Sequence, residues 1–195
     1  MTTICRFSAV TLLIAALAAC NATPGVTSTD ITGVDYGRSL ELTDHTGRQR
    51  HLEDFRGKAV VLFFGYTHCP DVCPTTLAQA AEALKALGAQ ADRVQVLFVT
   101  VDPERDTKDA LAKYVTAFDP RFLGLYGDAD ATRRAAKEFK IYYEKGAQSA
   151  PGSYSMDHSS QTYVIDPQGR LRLLVRTERI AEDLPADLRT LLAGR

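Results

Sequence analysis

The chain has 195 residues, 45% hydrophobic and 24% charged, and its 23 basic and 24 acidic residues leave a formal net charge of −1 at pH 7. That balance offers no basic surface for nucleic acid. The length suits one domain with one core after a short N-terminal leader.

The leader is read first. Arg6 supplies a positive start, and Phe7 to Ala19 is apolar but too short to span a bilayer as a mature helix. It ends in Leu17-Ala18-Ala19-Cys20, the pattern of a bacterial lipoprotein signal cut before the cysteine. Residues 1–19 are therefore expected to be a lipoprotein signal peptide and Cys20 the lipidated residue. Residues 20–37, rich in Thr, Ser, Gly and Pro, are expected to be a lipid-anchored flexible linker, and 38–195 the folded domain. The expected location is the periplasmic side of the cell envelope, held at the membrane by the lipid. Of the four cysteines, Cys5 would be lost and Cys20 acylated, leaving Cys69 and Cys73 as free thiols in an oxidising compartment.

Downstream, strand and helix patterns alternate. Leu40–Thr43 and Arg50–Leu52 flank the turn Asp44-His45-Thr46-Gly47, a β-hairpin. Ala59–Phe64 is continuously apolar, as in a central strand covered on both faces. Thr75–Leu87 carries apolar residues at helical spacing, with Pro74 at its first position and Gly88 at its end. Val94–Val101 reads as a second buried strand, Asp106-Thr107 as the cap of a helix to about Phe118, Leu123–Tyr126 as a short strand and Ala129–Phe139 as a helix. Thr162–Ile165 and Leu171–Val175 pair around Asp166-Pro167-Gln168-Gly169, and Ala181–Leu192 forms a final helix that Pro185 should shorten or delay. The expected class is α/β: a thioredoxin-like fold with a mixed central sheet flanked by helices and an N-terminal β-hairpin.

Cys69 and Cys73 lie between the buried strand and the following helix. Two thiols separated by three residues there can form a disulfide or share a soft metal ion. The helix N-terminus presents unpaired N–H groups and partial positive charge, which favours thiolate. Thiolates select Cu(I) or zinc over hard cations. A structural disulfide closing so short a loop removes only roughly 2 kcal/mol of chain entropy. His68 adjoins Cys69, but neighbours on a turn seldom aim at one ion, so it is read as loop packing; His45 and His51 are read as surface or packing residues. His158, in Met156-Asp157-His158-Ser159, precedes a strand expected beside the cysteine loop; on position alone it is as readily a satisfied polar histidine as a third ligand.

The segments Gly65-Tyr66-Thr67-His68-Cys69-Pro70-Asp71-Val72-Cys73-Pro74, Val101-Asp102-Pro103-Glu104-Arg105-Asp106-Thr107 and Asp157-His158 together resemble the Sco/SenC family over roughly Ser39 to Leu192. The resemblance implies a thioredoxin-fold, copper-binding metallochaperone that takes part in assembling the CuA centre of cytochrome c oxidase. It implies copper ligation by Cys69, Cys73 and His158, with Asp71 and Asp157 as neighbours that tune the site. It also implies one copper per chain, as Cu(I) or Cu(II), and the CuA-bearing oxidase subunit as partner. A periplasmic copper donor and a thiol reductase are further partners, and the protein is expected to be a monomer. The same dithiol can exchange disulfides, so a reductase that keeps the CuA cysteines reduced, with Cys69 and Cys73 as its redox pair, stands as the alternative, followed by a redox or copper sensor. Three intervening residues instead of two, and a histidine where thioredoxin-like oxidoreductases place a proline, favour metal binding. A peroxiredoxin would carry Thr or Ser where Tyr66 stands.

Overall fold

The computed structural model describes residues 25–147 and 153–195. The expected signal peptide, Cys20 and the first residues of the expected linker lie outside the described residues. No helix among the described residues is long and apolar enough to cross a membrane.

The fold is built outward from β4 (Ala59–Gly65), every residue of which is buried. Its apolar, largely β-branched and aromatic side chains suit a strand covered on both faces. β4 pairs in parallel with β5 (Val94–Thr100), from Ala59 opposite Val94 to Gly65 opposite Thr100, and antiparallel with β9 (Thr162–Ile165). β5 continues in parallel to β6 (Leu123–Tyr126), and the hairpin β2 (Glu41–Asp44) and β3 (Gln49–His51) adds to its far edge. β10 (Leu171–Val175) and β1 (Thr29–Asp30) extend the other side, giving the mixed order β1-β10-β9-β4-β5-β6-β2-β3. A separate two-stranded ribbon, β7 (Tyr143–Lys145) with β8 (Met156–His158), stands beside the sheet.

Helices flank the sheet. α1 (Val72–Leu87) packs against α4 (Ile180–Leu192), while α2 (Lys108–Thr116) covers β6 and α3 (Ala129–Glu138) lies on β2. Thr107 and Asp128 cap α2 and α3 by accepting the N–H groups of Ala110 and Ala131. Between the layers, the Phe139 ring lies tilted against Phe64 and Tyr163, each at a 5.7 Å centroid spacing, and the buried Tyr163 hydroxyl donates to the Phe139 carbonyl at 2.7 Å.

The sequence-based expectations shift in three places. Part of the expected linker lies against the domain: the Thr27 and Ser28 N–H groups bond the buried Asp187 carboxylate at 2.6 and 3.0 Å, and Thr29 pairs with Leu174. A carboxylate buried in α4 requires donors, and this arm supplies them. The helix after the cysteine loop begins at Val72, three residues early, so Pro74 is its third residue, still within the turn where N–H groups lack intrahelical partners. Pro185 neither shortens nor delays α4 but sits inside it. A helix-interior proline costs about 3 kcal/mol, whereas Ile180, Leu184, Leu188 and Leu191 on the same helix are all buried, each worth roughly 1.5–3 kcal/mol.

Candidate metal centre

β4 runs straight into the cysteine loop, and α1 starts inside it. Cys69 is half-buried on the loop, while Cys73 is fully buried in the first turn of α1; both are free thiols. The Asp71 side chain makes no capping bond to α1. The Cys69 sulfur takes that place, accepting the free Cys73 N–H at 3.4 Å. The loop is held from below: buried Asp106 accepts the Thr67 N–H at 3.0 Å, the Thr67 hydroxyl at 2.5 Å and the Thr100 hydroxyl at 2.6 Å.

His158, at the end of β8, completes the group. One donor atom from each of Cys69, Cys73 and His158 lies within 4.8 Å of the others, and His158 Nε2 is 3.6 Å from Cys73 Sγ. His158 Nδ1 lies 2.9 Å from the Ser159 carbonyl. A carbonyl only accepts, so Nδ1 carries the proton and the Nε2 lone pair faces the sulfurs. Ligating histidines are oriented in this way by a backbone carbonyl on the far nitrogen. The ring is wedged edge-on against Tyr66 at 5.8 Å and Phe63 at 6.2 Å. Burial lowers its pKa, with the Ser159 bond and the Asp157 charge opposing, so the imidazole is neutral near pH 7.

The electrostatics of the buried sulfur depart from the sequence-based expectation. Burial pushes the Cys73 thiol well up, and its bond to the Tyr66 backbone does not offset it. Cys73 is thus a protonated thiol until something displaces its proton. Two thiol sulfurs and one imidazole nitrogen are a soft donor set suited to Cu(I) or zinc. A three-coordinate ion with metal–sulfur bonds of about 2.3 Å places its donors roughly 4 Å apart, a span these three atoms match with small movement.

Other expected residues sort as follows. Asp71 is exposed at the start of α1. Asp157 is exposed beside His158 and acts on it through its charge. His68 is exposed and turns to Thr67 Oγ1 at 3.1 Å, away from the three donors. His45 Nδ1 accepts the Gly124 N–H at 3.1 Å, a packing role, and His51 is exposed at the end of β3. The sequence did not reveal the aromatic seat of His158, the brace by Asp106, or Gly65, whose missing side chain leaves room for Cys73 Sγ. A glycine ending an otherwise large apolar run was the available signal.

The SCO1/SenC family profile matches residues 28–193. The chain is 41% identical over 157 residues to the Bos taurus "Protein SCO2 homolog, mitochondrial", covering 80% of this chain and 59% of that protein. It is 37% identical over 136 residues to the Homo sapiens "Protein SCO1 homolog, mitochondrial", covering 68% and 45%. The chain therefore spans about three fifths or less of these two relatives. Among solved structures, Bradyrhizobium japonicum ScoI with copper bound superposes with a TM-score of 0.74 at 38% identity, over 80% of this chain and 99% of that one. Apo Sco1 from Thermus thermophilus gives 0.75 at 39%, over 86% and 99%. A soft three-donor centre on a thioredoxin-like sheet, with a family match across nearly all the described residues, places this chain in the SCO1/SenC family.

Proposed function

We propose that this protein binds one copper ion on Cys69, Cys73 and His158 and delivers it to the CuA-bearing subunit of cytochrome c oxidase during assembly of that enzyme. The observation that carries the reading is the anchored imidazole, whose Nδ1–H is tied to the Ser159 carbonyl while Nε2 lies 3.6 Å from a free sulfur. Copper bound in the 38%-identical ScoI and in yeast Sco1 at 28% identity supports the choice of metal. Copper is the cargo. Entry of the ion displaces the Cys73 proton, and the half-buried Cys69 is the edge at which a recipient thiolate replaces the first ligand. Cys20, lipidated once residues 1–19 are removed, would tether the domain on the periplasmic side of the membrane.

Thiol–disulfide exchange is the second reading, favoured by the unequal exposure of the two sulfurs. Cys69 would attack a target disulfide, and Cys73 would then resolve the mixed disulfide, leaving the target as a dithiol and this chain oxidised. The test pairs two assays on the reduced protein. Copper-loaded protein mixed with a reduced CuA-type apo-domain should transfer the ion one for one, and His158→Ala should impair transfer. Metal-free protein mixed with the oxidised apo-domain reports reductase activity, which needs both cysteines but not His158. X-ray absorption with no sulfur ligation, or transfer indifferent to His158→Ala, defeats the delivery reading.

A further inference from the structure

The conspicuous segment Val101–Thr107 has no place among the three donors, yet its side chains reach both halves of the centre. Asp106 holds the cysteine loop through Thr67. Next to it in the same turn, Arg105 donates from Nε to the carboxylate of Asp102, three residues back, at 2.5 Å and from Nη1 to the Tyr154 carbonyl at 2.9 Å. Its guanidinium carbon lies over the Tyr154 ring at 3.5 Å from the centroid and over the Tyr66 ring at 5.8 Å. Tyr154 is gripped from its other groups as well, since its hydroxyl donates to Asp102 at 2.8 Å and Lys145 lies 4.1 Å from its ring. Tyr154 is two residues before β8, the strand that carries His158, and Lys145 is on β7. The β7–β8 ribbon forms a sheet of its own, separate from the main sheet. Two three-residue strands are not self-supporting, so the position of His158 depends on what clamps them.

We propose that Arg105 is a positioning residue that sets the His158-bearing ribbon over the cysteine loop, so that the Asp102–Asp106 turn gauges the separation of the third ligand from the two sulfurs. The geometry divides the work. Asp106 acts on the loop and the Arg105–Asp102 pair on the ribbon, both from one turn whose own backbone is closed by Arg105 and Asp106 N–H bonds to the Asp102 carbonyl. Tyr66 connects the two halves: it is three residues before Cys69, packs edge-on to His158 and lies under the guanidinium. The planar fork is essential, because one guanidinium makes a carboxylate bond, a carbonyl bond and a ring stack together, which a lysine ammonium cannot reproduce. The orientation of a metal-bound histidine by surrounding groups is typically worth ten- to a hundredfold in affinity.

This inference rests on copper binding by the three donors, and its test separates the two. Cu(I) affinity of the reduced protein is measured by chelator competition for wild type, Arg105→Ala, His158→Ala and the double variant. If wild type binds no copper, the functional reading fails by itself. If wild type binds, Arg105→Ala should lower affinity ten- to a hundredfold and add little further loss in the His158→Ala background, because both remove the same ligand. Arg105→Lys should not rescue, and the Cu(II) form of Arg105→Ala should lose its nitrogen hyperfine coupling in EPR. In the metal-free protein, hydrogen exchange should quicken at the β7–β8 amides and stay unchanged at β4–β5. Should Arg105→Ala fold poorly, Tyr154→Leu, which removes the stack from the other side, must give the same pattern. Losses that multiply in the double variant, or a wild-type affinity in Arg105→Ala or Tyr154→Leu, overturn the proposal.

Discussion

Gly65→Ala should separate the copper centre from the rest of the core with a single methyl group. Gly65 ends β4, fully buried, and a Cβ there would stand 2.7 Å from Cys73 Sγ and 2.9 Å from both Phe63 Cε1 and Phe98 Cε2. Neither ring can retreat easily, since Phe63 and Phe98 are 1% and 0% exposed. The sulfur, the closest of the three and on the smallest side chain, must give way by about 0.7 Å to reach an ordinary 3.4 Å contact. Overpacking of this kind costs roughly 1–3 kcal/mol, against about 0.4–1 kcal/mol regained from a stiffer unfolded chain. The net loss lowers the melting temperature by several degrees, at about 2–4 °C per kcal/mol for a domain of this size. Metal–ligand distances tolerate about ±0.2 Å, so a sulfur displaced three times that far should weaken copper binding at least about tenfold.

The control is another buried glycine. At Gly124 on β6 a Cβ would meet Leu111 Cβ at 3.1 Å, far milder crowding and away from the three donors. Thermal unfolding and chelator competition on both variants give the comparison. Gly65→Ala should lose stability and copper affinity, whereas Gly124→Ala should lose a little stability and no affinity. Wild-type copper affinity in Gly65→Ala, or an equal loss in Gly124→Ala, would refute the reasoning.

Two further outcomes follow from the titrating groups. Because burial keeps the Cys73 thiol protonated until metal displaces its proton, copper affinity should rise at least about tenfold per pH unit between pH 6 and 8, after correction for the competitor. At lower pH the loss should steepen as His158, whose pKa burial lowers, begins to protonate; an affinity that does not change with pH would contradict the assignment. Asp44 governs acid stability instead. Its burial alone would raise the pKa, but bonds from Thr46, Arg50 and Arg48 outweigh it and hold the carboxylate at about 2. A depressed carboxylate stabilises the fold above its unfolded pKa of 3.8 and stops doing so as pH falls through about 2, a loss of about 2 kcal/mol. Denaturant unfolding at pH 5 and pH 2 should show that much less acid destabilisation in Asp44→Asn than in wild type, and equal acid losses would dismiss the role.

Much of the fold was legible because its central strands are apolar throughout. Ala59–Phe64, Leu123–Tyr126 and Thr162–Ile165 have runs that only a covered strand explains, and the structure adds Gly65 to the first of them. Segments stabilised by tertiary partners were not legible. Thr29–Asp30 and Tyr143–Lys145 are two and three residues long, with no alternation to read, and they exist because Leu174 and the residues around Met156 offer backbone partners. The start of α1 was misplaced because Pro74 fits equally well at the first or third helical position, both lacking an intrahelical N–H bond. In the centre, the sulfurs were evident from spacing. The contribution of Arg105, Asp106 and Gly65 was not, since a residue that acts by holding another leaves no spacing rule in the chain.

The balance between metal delivery and disulfide exchange turns on what His158 requires of the fold. Exchange needs an exposed thiol and a second one within reach, which Cys69 and Cys73 already provide from a loop and the first turn of α1. Nothing in that chemistry calls for a half-buried imidazole with lowered basicity, seated between Phe63 and Tyr66 and fixed in one tautomer by the Ser159 carbonyl. Burying such a ring costs solvation that the single carbonyl bond only partly returns. Its free lone pair points at Cys73 Sγ, where a thiol can offer it only a weak, long contact of 3.6 Å. A soft cation between them would satisfy both atoms at once. A bound cation would replace one weak contact with two strong ones, which is what the proposed carrier role asks of a site that must take up its ion firmly and still yield it through the Cys69 edge.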